Sequence, residues 1–333
     1  MKLTGEQIRS FTKGAVRVEE KDGVLFHRFT EAQEEYYRST NADFYMKSLA
    51  TAGVRLVFKT DSRRLFIKAE LTPGSSRTYY AFDVCVNGEF LDSLDNFSEV
   101  ELPSLYTRIQ LPLGRAEKEF DLGEGEKTVC IHFPWSCGVK LNEVSVDDGA
   151  MVEAIATPKK LLVFGDSITQ GYDALHPSAR YIGRLADSLG MEEVNKAIGG
   201  EVFCPELARL ADEFTPTCIA VAYGTNDWAG KERELTERNC RALFAALRRN
   251  YPNTPIMAIT PIWRSNWEES KLFGAFPEVT KMIREAANAA GGVMVIDGFD
   301  FVPHDTALYA DGTLHPNDEG FAHYFEALYK QIQ

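Results

Sequence analysis

The segment Leu161-Leu162-Val163-Phe164-Gly165-Asp166-Ser167-Ile168-Thr169-Gln170-Gly171 sets the architecture expected of the chain. Four apolar residues run straight into Gly-Asp-Ser, and an amphipathic pattern follows. Such a run predicts a buried strand that delivers a hydroxyl to the edge of a sheet, where open α/β folds place their chemistry. A serine is a weak nucleophile until a base takes its proton and donors receive the oxyanion. The neighbouring segments are therefore read for those parts.

Beyond Pro158, buried runs alternate with helical periods. Leu161–Phe164, Val194–Ile198, Cys218–Tyr223, Pro255–Ile262 and Val293–Asp297 are the strand candidates. Tyr181, Ile182, Leu185 and Leu189 repeat at helical spacing between them, as do Leu243, Phe244 and Leu247, then Phe321, Tyr324, Phe325 and Leu328. Strands separated by helices predict a parallel sheet covered on both faces, because parallel neighbours need right-handed crossovers.

Upstream, from about Ala15 to Val146, the period is two. Val54, Leu56 and Phe58 alternate with polar residues; so do Leu65, Ile67 and Ala69, then Phe82, Val84 and Val86, then Val129, Ile131 and Phe133. Asn87-Gly88 is a strong hairpin signal between two such runs. This half is expected to be an all-β antiparallel sandwich, its one helix-like piece lying near Thr30–Ser48. The boundary is placed near 150–158, with domains at 1–152 and 153–333.

A chain of 333 residues exceeds what one core usually fills, which agrees with two domains. Its formal net charge of −13 and the lack of any basic cluster argue against a nucleic-acid partner. No apolar stretch approaches the roughly 18 residues of a membrane span. The six scattered cysteines form no C-x-x-C pair and no cluster with histidine, so reduced thiols, no metal and a cytoplasmic setting are expected. The acidic stretches Glu117–Glu126 and Glu31–Glu35 read as solvated surface. Trp135 reads either as packing or as a platform for a sugar ring.

The carboxyl ends of the predicted strands collect Ser167, then Gly199-Gly200-Glu201, then Gly224-Thr225-Asn226-Asp227-Trp228, then Trp263-Arg264. The last strand leads to Asp311-Gly312-Thr313-Leu314-His315-Pro316. These are the parts of a serine esterase. Ser167 would attack an ester carbonyl, with His315 as base and Asp311 holding the imidazole. The oxyanion donors would be the Ser167 and Gly200 N–H groups and the Asn226 amide. Asp166 and Asp227 read as loop-ordering groups, and the other five histidines as structural. Trp228, Trp263 and Arg264 are candidates for substrate contact or for packing.

Gly165-Asp166-Ser167-Ile168, Gly200, Gly224-Thr225-Asn226-Asp227 and Asp311…His315-Pro316 resemble the four sequence blocks of the SGNH (GDSL-like) hydrolases. The resemblance covers about 160–333 and implies a three-layer α/β/α, flavodoxin-like domain with esterase or acylhydrolase activity and no cofactor. The family usually spaces its acid and base as D-x-x-H, whereas Asp311 and His315 are four apart. Asp311 therefore stands either as the triad acid or as a turn residue, with a backbone carbonyl orienting the ring instead. A β-sandwich ahead of this domain resembles the family 2 carbohydrate esterases, and implies deacetylation of oligosaccharides or small glycosides. A lysophospholipase or acyl thioesterase is the alternative, and a non-catalytic carbohydrate-binding protein the third reading. The partner expected is a small-molecule or oligosaccharide ester, and a homo-oligomer is left open.

Overall fold

Alternation in the N-terminal half becomes two antiparallel sheets in the computed structural model, which describes all 333 residues. One sheet has the order Thr12–Lys13, Arg55–Thr60, Lys127–His132, Ala81–Val86, Glu89–Asp95, with Val152–Ala154 pairing on Arg55–Thr60. The other has the order Arg17–Glu20, Val24–His27, Cys137–Val146, Arg64–Pro73, Arg115–Asp121. Leu65, Ile67 and Ala69 from the second sheet and Leu56, Phe58, Val129 and Ile131 from the first share one core. The hairpin turn falls at Asn87-Gly88, whose φ values of 52° and 90° suit the tight two-residue turn between twisted strands.

This half is not purely β. Helices form at Gly5–Phe11, Glu31–Thr40 and Ala42–Ser48. Thr4 with Gln7, and Thr30 with Gln33, close reciprocal capping boxes that satisfy the first free amides of two of them. The Val152–Ala154 strand also carries the N-terminal sheet slightly past the expected boundary, and the chain crosses between domains at 155–159. Three residues on a sheet edge are too few to show a period.

The C-terminal sheet is fully parallel, built from Lys160–Gly165, Glu192–Asn195, Cys218–Ala222, Ile256–Ile259 and Val293–Ile296. Its spatial order is second, first, third, fourth, fifth. Leu162 and Phe164 face helices Arg233–Asn250 and Pro277–Ala290, while Leu161 and Val163 face Tyr181–Ser188 and Asp318–Ile332. The chain leaves the first strand toward one side and reaches the third on the other. That reversal opens a crevice beyond the carboxyl end of the first strand, where Ser167 stands.

The two halves are joined by shared core and by buried charge. Ala52, Tyr79, Ala81 and Trp135 of the β-domain belong to the same apolar cluster as Leu161 and Tyr181. Arg28 is fully buried and donates to the carbonyls of Ala50 (2.6 Å), Lys47 (3.1 Å), Asn195 (2.8 Å) and Ala197 (3.0 Å). In the other direction, Lys196 donates to the Arg28 carbonyl (2.6 Å), Gln33 (2.9 Å) and Asp212 (2.6 Å). Burial pushes Arg28 down to about 9 and Lys196 down to about 8. A buried charge stripped of these partners would cost several kcal/mol, so the pairings tie the β-domain to the loop after the second strand.

Candidate active site

Asp166, not Ser167, caps the helix Ser167–Gln170, accepting from the Ile168 N–H at 3.0 Å. The serine hydroxyl is thus free of capping duty. Ser167 Oγ lies 2.8 Å from His315 Nε2, and His315 Nδ1 lies 2.8 Å from Asp311 Oδ2. With the Nδ1 proton given to a carboxylate, Nε2 is left to accept from the hydroxyl.

The four-residue spacing works because Asp311 serves turn and ring together. Its Oδ1 accepts from Thr313 (2.9 Å), Leu314 (2.7 Å) and His315 (3.1 Å) amides, folding the Asp-Gly turn, and Oδ2 faces the imidazole. Burial opposes its charge, but the His315 hydrogen bond and these amides hold it well below the usual carboxylate range. Burial likewise pulls the His315 imidazolium down, yet bonds from Asp173 and Asp311 outweigh it and raise the group to about 9.

Gly200 has φ +89° and is exposed at the rim. Asn226 Nδ2 donates to the Glu201 carbonyl at 2.9 Å, bringing the loop after the third strand against the Gly199-Gly200-Glu201 turn. That turn is held from both domains: Gln170 Oε1 accepts the Gly199 N–H at 2.8 Å, and Lys47 Nζ donates to the Gly199 carbonyl at 2.9 Å. A trans peptide points its C=O and N–H in opposite directions. Lys47, gripping the Gly199 oxygen from the N-terminal side, therefore turns the Gly200 N–H away from itself. Beneath the turn, Glu201 accepts from Tyr37 (2.5 Å) and Tyr223 (2.9 Å), and burial pushes it up to about 8.

The aromatic candidates separate. Trp228 has no exposed surface; its ring packs on Phe276 under Arg264, and its N–H donates to the Gly274 carbonyl at 3.0 Å. It is core, not a substrate wall, because the helix Thr225–Gly230 turns it inward. Trp263 stacks on His304, and Arg264 donates to Thr225 and Asn266, leaving each under a tenth exposed. Trp135 is interface packing: it donates to the Ala174 carbonyl at 2.8 Å and lies 4.8 Å from the Tyr172 ring. Asp166 and Asp227 accept loop amides, and burial raises both to about 7.

Sequence reasoning missed Asp173, Arg77, Tyr79 and Lys47. Asp173 follows the Gly171-Tyr172 end of the serine motif, a position that could have flagged it. The other three lie in the β-domain, and nothing local marks them. Asp173, Asp311 and His315 place donor atoms within 4.8 Å of one another. A divalent ion would demand oxygens near 2 Å, whereas both Asp173 oxygens already accept from Arg77.

A parallel sheet of this order with a Ser–His–Asp line at its crevice has the arrangement of a serine hydrolase. Residues 163–323 match the model of the GDSL-like Lipase/Acylhydrolase family, and the protein is an esterase or acylhydrolase of GDSL type. No curated protein matches the chain in sequence. Among solved structures, the salicylyl-acyltransferase SsfX3 from a tetracycline biosynthetic pathway is similar at 21% identity and TM-score 0.77, over 96% of this chain and 93% of that one. A GDSL-like lipase candidate of Bacteroides ovatus is similar at 19% identity and TM-score 0.77, over 100% and 96%. A family two carbohydrate esterase from Cellvibrio japonicus is similar at 16% identity and TM-score 0.64, over 97% and 94%. The likeness spans both domains, and at these identities it establishes the shared fold.

Proposed function

We propose that the protein hydrolyses short acyl esters, acetyl foremost, carried by oligosaccharides or small glycosides, through an acyl-enzyme on Ser167. Asp311 and His315 complete the catalytic triad in this reading. The observation that carries it is the 2.8 Å plus 2.8 Å line from Ser167 through His315 to Asp311 at the sheet's crevice. His315 takes the hydroxyl proton as Ser167 attacks, and the Ser167 N–H, Gly200 N–H and Asn226 amide receive the oxyanion. The imidazolium then protonates the leaving alcohol, and water repeats the sequence on the acyl-enzyme.

The saccharide part of the reading is supported by the two-domain likeness to a carbohydrate esterase and by the ring beside Gly200. A Cβ there would stand 3.7 Å from the Phe44 ring, an aromatic face of the kind that packs on a sugar ring. In this reading the chain up to Ala154 forms the β-sandwich domain and the chain from Lys160 onward the catalytic domain. Six unpaired cysteines support a cytoplasmic setting. A second reading, acyl transfer to an alcohol in place of water, is supported by the likeness over both domains to the salicylyl-acyltransferase. Both share the acyl-enzyme.

The test is a chain-length series of aryl esters, acetyl through octanoyl, beside acetate release from peracetylated sugars, with products resolved when alcohol acceptors are added. Acetyl preference with release from sugars supports the proposal. Rates rising with chain length move the activity to lipid or thioester substrates, and ester products from added acceptors move it to transfer. Ser167→Ala abolishes turnover in every esterase reading; retained turnover refutes the serine mechanism.

A further inference from the structure

Asp173 takes no part in the triad as read above, yet it is the most constrained acid of the site. It lies three residues beyond the Ser167–Gln170 helix, is fully buried, and adopts φ +72°, a conformation that favours glycine. It is held there from the other domain. Oδ1 accepts from Arg77 Nε at 2.6 Å and from the Tyr79 hydroxyl, and Oδ2 accepts from Arg77 Nη2 at 2.9 Å. The Asp173 carbonyl accepts from the Tyr106 hydroxyl at 2.5 Å. A two-pronged guanidinium contact fixes the plane of a carboxylate. So fixed, Oδ2 stands 3.2 Å from His315 Nδ1, the nitrogen that Asp311 approaches to 2.8 Å.

We propose that Asp173 is a second acidic positioning residue for His315, aimed by Arg77, Tyr79 and Tyr106, so that the N-terminal domain completes the catalytic base. The proposal rests on the reading of Ser167 as nucleophile and His315 as base. One ring N–H faces two acceptors, each with its other oxygen committed elsewhere: Asp311 Oδ1 to three amides, Asp173 Oδ1 to Arg77 and Tyr79. Either carboxylate alone keeps the proton on Nδ1, and therefore leaves Nε2 free for the serine. In a triad with a single acid, losing that acid costs about 10⁴ in turnover because the imidazole takes the wrong tautomer. Here the loss is shared.

The charges around His315 give the proposal a sign. Asp311 faces it from its own loop, Asp173 and the Tyr172 ring from the loop after the serine helix, and Asp166 from in front of Ser167. Arg77, Tyr79 and Tyr106 stand behind Asp173, and Arg264 lies on the Asp311 side. Removing the Asp173 charge makes the imidazolium easier to deprotonate. Removing the Arg77 charge while keeping Asp173 makes it harder.

The experiment uses the full-length enzyme with an aryl acetate, as Asp173→Asn, Asp311→Asn, the double variant and Arg77→Gln, each profiled against pH and checked by thermal unfolding. Asp311→Asn is expected to lose about 10–10² in kcat, well short of the single-acid loss, and the double variant about 10⁴. The ascending limb of kcat/KM is expected to move down by about one pH unit in Asp173→Asn and upward in Arg77→Gln. A structural role for Asp173 would not move the two limbs in opposite directions. An unmoved limb in Asp173→Asn together with a loss of about 10⁴ in Asp311→Asn overturns the proposal. Should Asp173→Asn fail to fold, the Asp311→Asn loss and the Arg77→Gln limb decide it. Turnover retained in Ser167→Ala would instead refute the serine reading beneath it, whatever the Asp173 variants do.

Discussion

Replacing Lys47 with methionine removes the ammonium from the Gly199 carbonyl while keeping most of the apolar stem. The bond at 2.9 Å is made by a side chain only 11% exposed, so solvent does little to replace it. A hydrogen bond to a charged group contributes about 1.5–3 kcal/mol net, and losing an oxyanion donor outright costs about 10²–10³ in kcat. The outright loss is the upper bound here. The Gly199 N–H, one peptide earlier, stays anchored to Gln170, so the turn as a whole keeps one of its two restraints. A kcat reduction of about tenfold, equivalent to about 1.4 kcal/mol, is therefore expected, with KM unchanged within about twofold. Thermal unfolding should fall by a few degrees. Steady-state kinetics on an aryl acetate read both constants, and Asp43→Asn is the control. That change frees the ammonium from its 2.6 Å carboxylate partner but leaves it on Gly199, and should keep near-normal kcat. If Lys47→Met melts early yet turns over at the native rate, the ammonium is only a structural tie. The claim that it aims the Gly200 N–H would then be wrong.

Three further outcomes are expected. A Cβ on Gly199 would sit 2.4 Å from the buried Tyr172 hydroxyl, so Gly199→Ala should destabilise or fail to fold, whereas Gly230→Ala, with open space around it, should melt like the native protein; equal melting of the two would contradict the packing described. His315, raised to about 9 in the fold against about 6.5 when unfolded, adds stability that is complete below about pH 6.5 and lost as pH rises through about 9, on the order of 3 kcal/mol. The melting temperature of the native protein should fall over that window more steeply than that of His315→Asn, and parallel curves would refute the raised affinity. The same affinity predicts that kcat/KM climbs with pH to a plateau near 9.

Much of the candidate site was legible because it is local. Gly165-Asp166-Ser167 follows a strand of four buried residues, and Asp311 through Pro316 lies just ahead of the last helix; strand ends and turns carry their own residue chemistry. The spacing of Asp311 and His315 left the acid open. The structure places Asp311 on the ring, since three amides on Oδ1 absorb the extra residue. Trp228 shows the opposite case: its neighbours in sequence line the rim, but the short helix Thr225–Gly230 rotates its indole into the core, and no pattern of single residues reports that rotation.

The sequence by itself determined the two kinds of sheet, through periods of two upstream and buried runs with helical spacing downstream, and it put Ser167, His315 and the Gly199-Gly200 turn at the carboxyl ends of strands or just ahead of the last helix. Only the tertiary structure decided which β-domain groups stand beside them. Arg77 and Asp173 are 96 residues apart, and Lys47 and Gly199 are 152 apart. Contacts at such separations arise from how two finished domains dock, from the shape and charge of whole faces, and leave no periodicity, spacing or motif along the chain. Local pattern can therefore place a serine at a strand end, whereas the charges that stand around His315 are set by the docked surface.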